Sequence, residues 1–199
     1  YDSIPVFEDS VIFKNAWAGG INSALFSAID LNMDGIKDIF VFEKDGSIVR
    51  PFINDGTEYR YAPEYVQEFP KMTMFAFLAD YNCDGKEDLF AFAPGLGGMA
   101  VYKNISTPLG GLEFAFITPI LNADYNPGIF NLYVAATDIP ALSDIDGDGD
   151  MDILAWSNNG AVVRYFKNLS MESFGNCDSL KFQLADECWG KFYESISNP

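Results

Sequence analysis

The chain has 199 residues, 49% hydrophobic and 16% aromatic, with 12 Lys and Arg against 29 Asp and Glu for a formal net charge of −17. This composition supplies a substantial core and excludes a disordered tail, while the negative charge repels nucleic acid and anionic lipid, so no nucleic-acid partner is expected. There is no histidine, which removes the usual general base, the Ser/His and Cys/His nucleophilic pairs and most catalytic zinc sites. No apolar run approaches the roughly 18–20 residues of a membrane helix, so no membrane insertion is expected. The sequence starts at Tyr1 without Met, which reads as a mature product or a portion of a longer chain.

Along the chain, the first organised unit is repeat 1, about residues 19–70. An incoming strand around Leu25 and Ala28 leads into an acidic loop with Asp30, Asn32, Asp34, Gly35 and Asp38. Phe40 and Phe42 then alternate with Val41, a period-2 pattern that predicts a strand buried on two unequal faces. Lys44-Asp45-Gly46 is a hairpin signal, because Gly takes positive φ at little cost. A third strand, the second of this hairpin, runs through Phe52 to Asn54, and Tyr59–Val66 reads as a fourth.

Repeat 2, about residues 71–120, repeats this order. Phe75 and Leu78 precede a loop with Asp80, Asn82, Asp84, Gly85 and Asp88; Phe90, Ala91 and Phe92 follow, then a turn over Pro94 to Gly98, Tyr102, Asn104 and a strand at Leu112–Thr118. Residues 121–137 contain Pro and Gly and read as a loop insertion. Repeat 3, about residues 138–192, opens with Ile139 and Leu142 and carries Asp144, Asp146, Asp148, Gly149 and Asp152. Leu154, Ala155 and Trp156 follow, then Asn158-Asn159-Gly160, Phe166, Asn168 and a strand near Leu180–Leu184. Loop starts at 30, 80 and 144 give periods of 50 and 64 residues, the excess falling in the insertion. Asn54, Asn104 and Asn168 each lie 16 residues after the last Asp of their loop. Their shared place argues for turn capping over glycosylation, although two of them start Asn-x-Ser sequons.

Each loop offers hard oxygen donors at positions 1, 3, 5 and 9. Calcium takes roughly six to eight such donors at about 2.3–2.6 Å, and a carbonyl at position 7 completes an encircling set. The expected ligands are Asp30, Asn32, Asp34, Asp38 and the Ile36 carbonyl; Asp80, Asn82, Asp84, Asp88 and the Lys86 carbonyl; and Asp144, Asp146, Asp148, Asp152 and the Asp150 carbonyl, with the Asp150 side chain turned to solvent. Three Ca2+ sites are therefore expected, the third tightest because it has four carboxylates. The competing reading is three metal-free Asp/Asn/Gly turns. An EF-hand needs Glu at position 12, where this chain has Val41, Ala91 and Ala155.

Four-strand units of this period suggest propeller blades, each packed face to face on the next. The loop followed by an apolar hairpin resembles the FG-GAP/VCBS repeats of integrin-α-type propellers over about residues 19–168, most closely at Asp138–Leu154, and lacks the FG-GAP dipeptides themselves. The resemblance implies an all-β fold of three four-stranded antiparallel blades, an arc of a seven- or eight-bladed propeller completed by the same longer chain. It also implies a secreted or cell-surface protein with structural calcium. Two functions are expected from different classes: a non-catalytic module that binds protein or glycan or serves as a surface scaffold, or the propeller portion of a secreted polysaccharide lyase or hydrolase. Of the three cysteines, Cys177 and Cys188 flank a strand-like stretch and are expected to pair, leaving Cys83 free.

Overall fold

The computed structural model describes residues 4–194. The fold is all-β and dominated by antiparallel meanders. A short hairpin, β1 (Phe7–Glu8) and β2 (Val11–Ile12), turns through Asp9 and Ser10, both at positive φ. The first larger sheet runs in sequence order through β3 (Ala24–Ile29), β4 (Asp38–Glu43), β5 (Ile48–Asn54) and β6 (Tyr59–Tyr61). β6 is shorter than expected, because Pro63 lacks an N–H and opens a 3-10 turn over Pro63–Glu68. The second sheet has the same order: β7 (Ala76–Ala79), β8 (Asp88–Phe92), β9 (Met99–Asn104) and β10 (Phe114–Thr118).

The third sheet departs from that pattern. β13 (Ala141–Ser143), β14 (Asp152–Trp156), β15 (Val163–Asn168) and β16 (Phe182–Asp186) form the meander, with the short helix α1 (Ser170–Phe174) between β15 and β16. Residues 121–137, expected as a loop, instead contain a hairpin of β11 (Asn122–Asp124) and β12 (Ile129–Asn131). β11 lies parallel to β16, pairing Ala123 with Phe182 and Asp124 with Gln183, so the sheet has six strands. The hairpin covers backbone groups that the edge of β16 would otherwise expose. Among the described residues no helix is long and apolar enough to cross a membrane.

Alternation along the strands builds two cores. Phe40 and Phe42 of β4 join Leu89 and Ala91 of β8 in one cluster, and Phe90 joins Ile153 and Ala155 of β14 in the other. The second sheet is thus buried on both faces, and the large side chains of each sheet meet smaller ones on the next. Phe69 extends the first core, with ring centroids 4.9 Å from Phe40 and 5.3 Å from Phe114.

The segment before β3 is pinned by a buried pair. Glu43 accepts from the backbone N–H groups of Asn22 (3.0 Å) and Ser23 (2.6 Å) and lies 3.5 Å from the Arg50 guanidinium. Arg50 Nε donates to the Ala18 carbonyl at 2.7 Å.

The cysteines pair differently from expectation. Cys83 is bonded to Cys177, 94 residues away with Cα atoms 5.9 Å apart, and Cys188 is a half-buried free thiol. The reason is β16, which intervenes between Cys177 and Cys188. An extended strand of its five residues covers about 16 Å, beyond the roughly 7 Å limit for bridging Cα atoms. Non-reducing peptide mapping should therefore recover Cys83 joined to Cys177. Reduction should lower stability by about 2–5 kcal/mol, read from the urea midpoint. A Cys177–Cys188 peptide would overturn this pairing.

A second expectation concerns acid. The Asn22 and Ser23 N–H groups, helped by Arg50, hold the Glu43 carboxyl below its ordinary range against the opposing effect of burial. An acid whose folded value is depressed contributes its stability above the ordinary glutamate value of about 4.3, and loses it as the pH falls through the lower folded value. Glu43→Gln should flatten the acid limb of a stability–pH profile below about pH 4.3 while lowering stability at neutral pH. An unchanged limb would show that the pair is not held in solution.

Candidate functional site

Each Asp-rich loop joins the first two strands of its sheet's meander, and the three share one hydrogen-bonding plan. The position-1 carboxylate takes two amides: Asp30 from Asp34 (3.1 Å) and Gly35 (2.9 Å), Asp80 from Asp84 (3.2 Å) and Gly85 (2.8 Å), Asp144 from Gly147 (2.7 Å) and Gly149 (3.1 Å). Position 3 accepts from the N–H of position 5, through Asn32, Asn82 and Asp146. Position 5 accepts from the N–H of position 7, through Asp34 from Ile36, Asp84 from Lys86 and Asp148 from Asp150. Such a curl needs left-handed backbone at two places. Gly35, Gly85 and Gly149 provide it at position 6, while at position 4 Gly147 is joined by Met33 (φ 62°) and Cys83 (φ 58°), residues that adopt it less readily.

Position 9 is built differently. Asp38, Asp88 and Asp152 are buried, and each uses both carboxylate oxygens. One accepts from the loop's second residue: Leu31 at 2.8 Å, Tyr81 at 3.2 Å, Ile145 at 2.9 Å. The other accepts from the end of the third strand: Asn54 at 2.7 Å, Asn104 at 2.8 Å, Asn168 at 2.8 Å. Burial pushes all three carboxyls up, Asp88 to about 7, and these backbone donors pull them back. The Asn side chains close the next turn: Asn54 accepts from Gly56 N–H, Asn104 from Ser106 and Asn168 from Ser170. Asn104 and Asn168 are buried, consistent with capping.

The loops stand side by side. Lys37 Nζ reaches Glu87 (2.8 Å to Oε2), both at position 8, and the Cys83 sulfur lies 3.6 Å from the Gly149 carbonyl. A cleft of about 500 Å³ opens between the first two loops, with Asp30, Lys37, Lys86 and Glu87 in its wall.

A metal's fit is judged by how the acids converge. Oxygens on opposite sides of a calcium ion bound at about 2.3–2.6 Å are up to about 5 Å apart. Oxygens of Asp144, Asp146 and Asp152 lie within 4.8 Å of one another, so the third loop meets that spacing. Among the described residues the first two loops form no comparable triad of carboxylates, since position 3 is Asn32 or Asn82. Asn32 Nδ2 donates to Asp34 Oδ2 at 2.8 Å, whereas the buried Asn82 Nδ2 has no partner.

Several contributors escaped the sequence reading. Lys167 Nζ contacts Asp146 Oδ2, Glu172 Oε1 and Asp148 Oδ2, the last at 3.1 Å, and these acids raise its pKa strongly. Lys103 Nζ stands 3.8 Å from Asp84 and 3.7 Å from Asp178. Both lysines follow the last Asp of their loop by 15 residues, a register in which the first unit has Ile53. That equivalence was available in the sequence; the acids opposite, Glu172 and Asp178, lie in the link between β15 and β16 and have no repeat counterpart. The Asp150 side chain, expected in solvent, is buried because its Oδ2 accepts from Met171 N–H at 2.8 Å at the start of α1.

The two kinds of acid should separate by mutation. In chelator, Asp88→Ala leaves two buried N–H groups unpaired and should lose at least about 2 kcal/mol. Asp84→Ala, whose Lys86 amide can turn to water, should change stability little under the same conditions. Equal losses in a denaturant titration would contradict this division between a buried acid that holds the fold and an exposed one that does not.

Comparison of the chain with family models, with curated proteins and with solved structures finds no match.

Proposed function

We propose that the chain is a calcium-binding all-β repeat module in which three loops each hold one Ca2+ between strands. The observation that carries the reading is the convergence of Asp144, Asp146 and Asp152 oxygens within 4.8 Å, in a loop whose amide pattern recurs at Asp30–Asp38 and Asp80–Asp88. Amide donors hold each carboxylate in place, but they do not cancel the charge of three or four acids held together. A divalent ion does. The loops' own residues would supply Asp30, Asn32, Asp34 and Asp38, then Asp80, Asn82, Asp84 and Asp88, then Asp144, Asp146, Asp148 and Asp152. Carbonyls of Ile36, Lys86 and Asp150 would complete the three sets.

The larger context follows from the same reading. The sheets are blades of an FG-GAP/VCBS-like propeller, and further blades would come from a longer chain. Large-on-small packing between consecutive sheets supports this. The Cys83–Cys177 bond favours an oxidising, extracellular setting. The module is non-catalytic and engages a protein or a glycan through its loop edge.

Calcium should stabilise the fold by mass action, since it binds the native loops and hardly binds the unfolded chain. At a hundredfold excess over the dissociation constant the gain is about 2.7 kcal/mol per site. Thermal melts in calcium and in chelator check this, and coincident midpoints would sink the proposal. Calorimetric titration should lose one binding step with each of Asp34→Ala, Asp84→Ala and Asp148→Ala.

A further inference from the structure

The third loop meets an acid that lies outside it. Glu172, on α1, shares the Lys167 ammonium with Asp146 and Asp148, and oxygens of these three acids lie within 4.8 Å of one another. Three carboxylates therefore surround one ammonium. A fourth stands beside them: Asp150 is 2% exposed, its Oδ2 accepts from Met171 N–H, and its Oδ1 has no partner. The backbone N–H of Asp150 donates to Asp148 Oδ1 at 3.0 Å, so this residue is wedged between the loop and the start of α1. A buried carboxylate oxygen without a donor is costly, and one ammonium does not balance four acids.

We propose that Glu172 is a ligand of the divalent cation at the third loop, and that the Lys167 ammonium holds that ion's place when it is absent. The inference rests on the calcium reading above. It adds an acid from another element to the loop's own set, so that α1 closes on the ion. The exchange is physically open. The Lys167 side chain is 22% exposed and Glu172 43% exposed, so a flexible four-carbon stem can swing into water while the carboxylate stays. Calcium needs Asp146 and Asp148, both now held by Lys167, so the two cations compete for the same oxygens.

Calcium titration of the full chain carrying Asp34→Ala and Asp84→Ala isolates the third loop; should that background not fold, the step that Asp148→Ala removes from the otherwise unmodified chain is read instead. Glu172→Gln should weaken binding about tenfold or more, and Lys167→Gln should tighten it. If Glu172 served only to hold Lys167, its loss would free the loop, and affinity would rise or stay level; either result overturns the proposal. Combining Glu172→Gln with Lys167→Gln should still weaken binding relative to Lys167→Gln alone. Hydrogen exchange gives an independent readout: calcium should protect Met171–Phe174 amides in the unmodified chain and not in the Glu172→Gln variant. Absence of any calcium binding by the unmodified chain overturns both readings, whereas normal binding indifferent to Glu172 overturns this one alone.

Discussion

The fold depends on one interaction made three times, a buried aspartate carboxylate shared between two backbone amides. Asp38, Asp88 and Asp152 are each the first residue of a second strand. One oxygen of each reaches back to the loop's entrance, and the other crosses to the end of the third strand. A single side chain thereby fixes loop, strand start and hairpin end together. Burial of the carboxylates is unfavourable, and the paired N–H donors offset it. The constraint explains why the distance from this Asp to the following Asn is 16 residues in all three units although the turns differ in sequence. A hairpin one residue longer or shorter would present the wrong face and the wrong amide.

Upon that frame, the other loop acids are free to face outward. Positions 1, 3 and 5 curl around their own amides, leaving oxygens turned to one side, and charge on that side accumulates. Lys37 against Glu87, Lys103 between Asp84 and Asp178, and Lys167 among three acids partly balance it. Of the 12 basic residues against 29 acidic ones, three are thus spent along one edge. The link between β15 and β16 concentrates these contacts: it supplies Glu172 to the third loop, and Asp178 and Cys177 to the second. A segment that touches two loops by charge and by a covalent bond ties their conformations together.

What was legible in the sequence was what is local. Asp, Asn and Gly at fixed offsets specify the curl of a loop, because each contact spans two to five residues. Alternation at Phe40, Val41 and Phe42 specifies a strand buried on both faces, because the side-chain period is two. Illegible features were those that join distant segments. The β11–β12 hairpin pairs with β16 across some 60 residues and in parallel, so no turn announces it. Cys83 and Cys177 are 94 residues apart, and three cysteines leave more than one pairing open. Asp150 looked like the solvent side of its loop; α1 covers it, and nothing in a nine-residue motif encodes where a helix two strands further on will sit.

The outer faces of the stack carry the last consequence. Within the stack, the Phe40 and Phe42 face of one sheet meets the Leu89 and Ala91 face of the next, a directional arrangement that leaves unlike faces at the two ends. Neither is bare. On the first sheet, Arg50 reaches the Ala18 carbonyl and Glu43 the amides of Asn22 and Ser23, so that a chain segment lies across the face on which Val41 is fully buried. On the third, the Phe192 ring stands edge-on to Trp156 at 6.1 Å, and Glu194 N–H donates to the Ala161 carbonyl. Leu154 and Trp156 nevertheless remain only half-buried, unlike their counterpart Phe40. A polar clip shields one end and a short aromatic contact the other, so the two ends differ in how readily another surface displaces what covers them. The third sheet carries the larger side chains under the thinner cover, and so leaves more apolar surface within reach of a further packing face.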